Sequence, residues 1–253
     1  MSARLYSGTD MENANIAEIF SSIQGEGPEV GIPYNFIRFT GCNLKCRYCD
    51  TDWANEPLES ARVLKCSTDI AEHHFNPISL EDCLAIMSGF KHRNWCFTGG
   101  EPMLQSQFIE ALFPGLKGKR LMMETNGTLR DNITPALVDR IDVWSVDIKL
   151  PSVSGESVME DNRFFLQRLD NAKQVVIKTV FSDETPESEL KAALAMADEF
   201  KKLNPRMSFV FQPVTHDEKV VTGDNLEVIC KIIDKFDFEI RVLPQVHKIL
   251  RVL

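Results

Sequence analysis

Short apolar runs recur along the chain at intervals wide enough to hold a helix between them. NFIRFT (Asn35–Thr40), NWCFT (Asn94–Thr98), RLMMET (Arg120–Thr125), VWSVDI (Val143–Ile148), QVVIKTVF (Gln174–Phe181) and SFVFQ (Ser208–Gln212) are rich in Val, Ile, Phe or Met. Runs of that length predict strands buried on both faces. The stretches between them carry a helical period instead. SLEDCLAIMSGF opens on Ser79 with Asp82 three residues on, a variant of the capping box. TPESELKAALAMADEFKKL offers Thr185 as N-cap, Pro186 at the first helical position, and Leu190, Leu194 and Ala197 on one face. NLEVICKIIDKF follows the sixth run. Six strand–helix units in series predict an α/β fold with parallel strands and right-handed crossovers, either a (β/α)6 barrel segment or an open doubly wound sheet. No Gly/Ser linker or repeat divides residues 1–253, so one domain is expected, with 1–15 flexible and 52–77 an insertion loop that can hold a short helix. The tail VLPQVHKILRVL stays apolar to its last residue and begins as a strand beside the sixth; burial explains such a tail better than fraying.

Composition narrows the function classes. The apolar share of 43% and charged share of 26% are those of a soluble globular protein. A formal charge of −9 disfavours wrapping a phosphate backbone, so no direct nucleic-acid partner is expected. No apolar run approaches the ~20 residues that span a bilayer, and the first residues are polar, so neither a membrane partner nor a signal peptide is expected. Seven cysteines, odd in number and mostly isolated, argue against a disulfide framework and for a reducing cytoplasm.

The candidate chemistry sits at the ends of the predicted strands. GCN (Gly41–Asn43) follows the first, GGEP (Gly99–Pro102) the second and ETNGT (Glu124–Thr128) the third. DIK (Asp147–Lys149) ends the fourth, Lys178 lies in the fifth, and Gln212-Pro213 ends the sixth. GGEP and NGT are ordinary turn sequences when met singly. In a parallel barrel, however, all these positions converge on the C-terminal mouth, where such folds build active sites. GCNLKCRYCDT then places Cys42, Cys46 and Cys49 within eight residues, one thiolate short of a closed tetrahedral zinc site. Cys66, His73 or His74 could supply the fourth ligand of a zinc-stabilised binding module. Alternatively, three cysteines hold an iron–sulfur cubane whose fourth iron stays open to an exogenous ligand. Cys83, Cys96 and Cys230 fall in helices or a strand, where core packing is the plainer role.

The C-x3-C-x2-C spacing after a first strand, followed by GGEP, resembles the radical S-adenosylmethionine superfamily. The resemblance implies a partial (β/α)6 TIM-like barrel of the radical SAM type with N-terminal and C-terminal extensions. It implies a 4Fe–4S cluster on Cys42, Cys46 and Cys49 that binds S-adenosylmethionine, which one electron cleaves to a hydrogen-abstracting 5′-deoxyadenosyl radical. Within the superfamily, EIFSSIQGEGPEVGIPYNFIRFTGCNLKCRYCDTD (Glu18–Asp52) and the tail LPQVHKILRVL are similar to the 7-carboxy-7-deazaguanine synthases, over nearly the whole chain. That family is a carbon–nitrogen lyase of deazapurine (queuosine-type) biosynthesis. It contracts 6-carboxy-5,6,7,8-tetrahydropterin to 7-carboxy-7-deazaguanine with release of ammonia and depends on Mg2+. An electron donor such as flavodoxin and a homodimer are implied as partners.

Carried over residue by residue, the family pattern places substrate contacts on Ile23, Gln24, Gly25, Glu26, Arg38 and Thr98, and on His247 and Leu253 of the tail. Arg38 suits a carboxylate because a planar guanidinium can bind both oxygens. Cosubstrate contacts fall on Tyr48, Cys49 and Asp50, then on Gly100 and Glu101, where Gly99 and Gly100 would let backbone approach the methionyl amine. Glu124 and Asn126 offer acceptors and a donor to ribose hydroxyls, and Asp147, Ile148, Lys149, Gln212, Pro213, Val214 and Thr215 complete the set. Asp147-Ile148-Lys149 departs from the Ser-Pro-Lys of many members. Thr51 matches the Mg2+ ligand, a neutral hard oxygen for a site that water and substrate complete; the plain alternative is that Asp50 and Thr51 only shape a turn. A glycyl-radical-activating enzyme would share the cluster motif without needing QGEG or Arg38. Anaerobic reconstitution should load about four irons per chain, and Cys46→Ala should abolish S-adenosylmethionine cleavage. Stoichiometric zinc, or full activity in that variant, would overturn the cluster.

Overall fold

The computed structural model describes residues 11–66, 71–216 and 219–252. One sheet of eleven strands runs through it. In chain order they are β1 (Ile16–Ile23), β2 (Pro33–Phe39), β3 (Ser60–Leu64), β4 (Glu72–Phe75), β5 (Asn94–Gly99), β6 (Arg120–Thr125), β7 (Val143–Ile148), β8 (Val175–Phe181), β9 (Met207–His216), β10 (Lys219–Val221) and β11 (Glu239–Val242). The helices are α1 (Leu80–Ser88), α2 (Ser106–Leu112), α3 (Pro135–Arg140), α4 (Pro151–Ser154), α5 (Met159–Gln167), α6 (Glu187–Lys201), α7 (Asn225–Ile233) and α8 (Val246–Leu250).

Strands β2, β5, β6, β7, β8 and β9 lie side by side in chain order, every neighbouring pair parallel. These are the six strands expected from the apolar runs. Because their order never reverses, there is no topological switch point, which removes the doubly wound alternative. Right-handed crossovers that all step the same way place the helices on one face. Among the described residues no ladder joins the two ends of the sheet, so the expected (β/α)6 barrel is an open, mostly parallel sheet rather than a closed one. At one edge β1 pairs antiparallel with β2 and parallel with β3, and β4 pairs antiparallel with β3. At the other, β11 runs parallel to β9; it ends at Val242, the first residue of the tail expected to begin as a strand, and the tail goes on into α8 instead.

Two local expectations change. Residues 52–77, read as a loop, hold the one-turn helix Asp52–Ala54 together with β3 and β4. The signal for β3 was its alternation: Ala61 and Val63 are buried while Arg62 between them faces out. Thr185 does not cap α6. The helix begins at Glu187 with extended Pro186 before it, and the Thr185 hydroxyl instead accepts from Ser182 N at 2.9 Å to close the preceding turn. Ser79 caps α1 as expected, accepting from Asp82 N at 3.1 Å.

Period-two alternation gives the sheet two apolar faces. Trp95, Phe97, Leu121, Met123, Trp144, Val146, Phe209 and Phe211 pack under the helices. Phe20, Tyr34, Phe36, Cys96, Met122, Val143, Val176 and Val210 form a second core on the opposite face. Following that second face towards the strands' C-terminal ends, the next positions are Arg38, Thr98, Glu124, Ser145 and then Asp147, Lys178 and Gln212. A floor of apolar side chains thus passes into a rim of polar ones on the same side of the sheet.

Buried Asn162 of α5 locks that rim. Its Nδ2 donates to Asn126 O at 2.7 Å and Gly127 O at 2.9 Å, and its Oδ1 accepts from Lys149 N at 3.3 Å. Asn162→Ala should destabilise the fold by about 1–3 kcal/mol, because it orphans buried backbone groups of two rim loops. Urea unfolding of the variant measures this.

Candidate active site

The loops after β2 and β5 are built as one piece. Gly100 N donates to Phe39 O at 3.1 Å and Glu101 N to Gly41 O at 2.7 Å. Gly99 has φ 137°, and a Cβ at Gly100 would lie 2.0 Å from Gly41 O. The close approach these glycines permit is therefore of GGEP backbone to the GCN loop. Glu101 continues the clasp. Fully buried, it accepts from Met103 N at 3.0 Å, the Thr125 hydroxyl at 2.7 Å and Asn126 N at 2.7 Å. Burial raises its pKa in spite of those donors.

On this clasp stand Cys42, Cys46 and Cys49, half-buried free thiols that line one cavity. Burial pushes the Cys42 thiol up to about 11 and Cys46 in the same direction. Cys83 and Cys96 lie in the cores, and Cys66 and Cys230 are exposed. Among the described residues no three His, Cys, Asp or Glu side chains converge as ligands of a single ion would. His73 instead meets Ser60 Oγ at 3.3 Å and His74 lies 3.9 Å from Glu72. Three soft thiols around a shared cavity, with no fourth thiol beside them, suit a multi-atom cluster with an open position.

The other walls come from the strand ends and the tail. Ile23, Gln24, Gly25, Glu26, Arg38, Thr98 and His247 face the same cavity as the thiols, as do Tyr48, Asp50 and Thr51. Gly100, Glu101, Glu124, Asn126, Asp147, Lys149, Gln212, Val214 and Thr215 also line it. Ile148 and Pro213 do not. They occupy the alternate strand positions, which turns Ile148 into the helix-side core. Leu253 lies outside the described residues. Lys178, expected at the strand-end mouth without an assigned contact, is a wall of the cavity, where period two from Val176 points it; Gln245 is a wall that the motif reading did not name.

Charges on one wall are held in a buried network. Lys178 Nζ pairs with Glu26 and lies 3.4 Å from Asp147, whose Oδ2 is also 3.0 Å from Lys149 Nζ. Lys149 donates to Tyr48 OH at 3.0 Å. Gln245 donates to Glu26 at 2.7 Å and Gln24 to Glu124 at 2.9 Å. Burial alone would raise Glu26, but Lys178 and His247 outweigh it and hold the carboxyl at about 2. Burial would likewise lower Lys178 and Lys149, yet their carboxylate partners push both upward. Asp147 Oδ1, Gln212 Oε1 and Thr215 Oγ1 are buried without a hydrogen-bond partner. Such atoms cost free energy unless a ligand satisfies them, and all three belong to the expected cosubstrate set. The residues present therefore fit both a cluster and a polar cosubstrate beside it.

The tail contributes a further wall through Gln245, His247 and Lys248. Val246 N donates to Gly25 O at 2.9 Å, and Lys248 Nζ lies 2.7 Å from Asp50. A Cβ on Gly25 would sit 2.1 Å from His247 Nδ1, so only glycine admits α8 here.

Residues 36–182, more than half of the chain, match the Radical SAM superfamily. The chain is 32% identical to the 7-carboxy-7-deazaguanine synthase of Geobacter sulfurreducens, over 94% of this chain and 97% of that protein. It is 35% identical to the synthase of Archaeoglobus fulgidus, over 94% and 99% respectively. In fold it is similar to the crystal structure of QueE from Escherichia coli, with a TM-score of 0.64 at 24% identity, covering 97% of this chain and 99% of that one. The chain belongs to the radical SAM superfamily and, within it, to the 7-carboxy-7-deazaguanine synthase family. Membership implies a 4Fe–4S cluster and S-adenosylmethionine, the groups the thiols and orphaned acceptors suit.

The depressed Glu26 carboxyl has a pH consequence. Its folded value of about 2 lies below the ordinary 4.5, so its contribution to stability is complete above pH 4.5 and is lost as pH falls towards 2. Glu26→Gln should flatten that part of the acid-unfolding profile, leaving wild type and variant closer in stability at pH 2 than at pH 6.

Proposed function

We propose that this chain catalyses the radical ring contraction of 6-carboxy-5,6,7,8-tetrahydropterin to 7-carboxy-7-deazaguanine with release of ammonia. One observation carries the reading: the three-thiol loop and Arg38 open into a single cavity, in a chain similar throughout to enzymes of that name. When bound, the cluster and S-adenosylmethionine supply the radical that takes hydrogen from the substrate.

The chain's own residues bind, orient and enclose. Arg38 receives the substrate carboxylate, because a guanidinium on a buried strand end offers paired donors to an anion. Gln24, Gly25 and Glu26 present polar atoms to the pterin ring, with Thr98 beside them on β5. Asp147, Gln212 and Thr215 offer their unpartnered oxygens to the cosubstrate. Lys149 and Tyr48, bonded to each other, stand between the cysteine loop and Asp147. Thr51, whose hydroxyl lies 3.8 Å from Cys49 Sγ and lines the cavity, would give Mg2+ a neutral hard oxygen. Helix α8 and His247 keep water from one side, which protects a reactive radical.

The same reading extends to finer points. The open sheet serves as the partial barrel of the radical SAM type, and the chain works as one domain. A one-electron donor such as flavodoxin reduces the cluster. The enzyme acts as a homodimer in the cytoplasm, where the thiols stay reduced. No helix among the described residues is long and apolar enough to cross a membrane.

Anaerobic turnover of the carboxytetrahydropterin tests the activity. Arg38→Ala should weaken pterin binding by about 2–5 kcal/mol while S-adenosylmethionine binding stays near wild type. Thr51→Ala should raise the Mg2+ concentration required. Unchanged pterin kinetics in Arg38→Ala would show that the carboxylate is read elsewhere.

A further inference from the structure

Arg38 belongs to a three-residue array. Its Nε donates to Glu18 Oε1 at 2.8 Å, and the second oxygen of Glu18 accepts from Arg62 Nη2 at 2.7 Å. Sheet register sets this up: Glu18 on β1 lies opposite Arg38 on β2 and opposite Arg62 on β3. Residues in register on neighbouring strands project from the same face, so the two arginines reach one carboxylate from opposite sides. Glu18 is only 2% exposed, whereas Arg62 reaches outward, its guanidinium 5.2 Å from the Trp53 ring. Arg38 lines the cavity above Phe20, 5.5 Å from that ring.

The charge balance gives the array a purpose. Across the cavity Lys178 and Lys149 are matched by Glu26 and Asp147. On the Arg38 side two guanidiniums share the single carboxylate of Glu18, so this three-residue array by itself carries one net positive charge, and Arg38 is its member that lines the cavity. Glu18 alone would neutralise the arginine it orients. Arg62 takes up half of that carboxylate, and the bond to Arg38 through Nε leaves its terminal amino groups for a ligand.

We propose that Glu18 and Arg62 are positioning residues for the substrate carboxylate: Glu18 aims Arg38 into the cavity, and Arg62, delivered by the inserted strand β3, keeps Arg38 electrostatically free to bind an anion. The inference rests on the reading of Arg38 given under Proposed function. It assigns to the 52–77 insertion a part in substrate selection, although Arg62 does not itself line the cavity.

The test compares reconstituted wild type, Glu18→Gln and Arg62→Gln under anaerobic conditions. Readouts are kcat and KM for the carboxytetrahydropterin, KM for S-adenosylmethionine, inhibition by the neutral 6-carboxamide analogue, and melting temperature. Arg62 is partly exposed, so its variant tests the idea even if Glu18→Gln folds poorly. Arg62→Gln should raise the pterin KM about tenfold, with kcat within about threefold of wild type. Its S-adenosylmethionine KM and carboxamide inhibition should match wild type. Wild-type pterin KM in Arg62→Gln, with only the melting temperature lowered, would overturn the inference while leaving the proposed activity standing. A wild-type enzyme that does not turn over the pterin would overturn both.

Discussion

An open parallel sheet has a face that nothing in its own strand order covers, and the buried pair of Glu26 with Lys178 ties a crossing segment over this one. Glu26 lies on the segment that follows β1 and crosses the inner face of the sheet. Lys178 rises from β8, the fifth of the six parallel strands. Joining them pins the crossing segment over the apolar floor made by Phe36, Cys96, Met122 and Val176. The same carboxylate accepts from Gln245, and the neighbouring Gly25 seats His247, so the tail is registered on the crossing segment in turn. The pair thus joins the crossing segment to the sheet, and the tail adds its own contacts through Val246 N to Gly25 O and Lys248 to Asp50.

Buried ion pairs are weak sources of stability, because desolvation offsets most of the attraction. Their use here follows from what the cavity must do. A site for a charged cosubstrate and an anionic substrate needs fixed charges and donors in a region shielded from water. Once buried, each must be matched. The matched wall of Glu26, Lys178, Asp147 and Lys149 and the deliberately uneven array of Arg38, Glu18 and Arg62 are two answers to that requirement. The first gives a rigid polar wall with a few unsatisfied acceptors. The second holds a positive charge ready.

Much of the framework was legible along the chain. Six apolar runs became six parallel strands because strands buried on both faces have no polar side to interrupt the run. The cysteine spacing, GGEP and the strand-end motifs met in one cavity because parallel strands bring their C-terminal ends together. Strand β1 was concealed inside a stretch notable for its motif, and β3 and β4 inside one that looked irregular. Strands β3 and β4, at that edge, are short and partly exposed, so their hydrophobic signal is thin. The Thr185 cap misled because the same residue types that cap helices also close turns.

The sequence by itself determined the class of chemistry: three thiols at fixed spacing, glycines where two loops touch, and an arginine at the end of a buried strand. These are local requirements, written in a few adjacent positions. Tertiary structure alone decided which face each strand residue takes and who its partner is. It turned Ile148 away from the cavity, paired Lys178 with Glu26, and set Glu18 between arginines 20 and 44 residues away along the chain. It also spent Glu101 on backbone amides. The reason is physical: an ion pair or a clasp between loops depends on register across strands, and register is fixed by the packing of the whole sheet rather than by any segment within it.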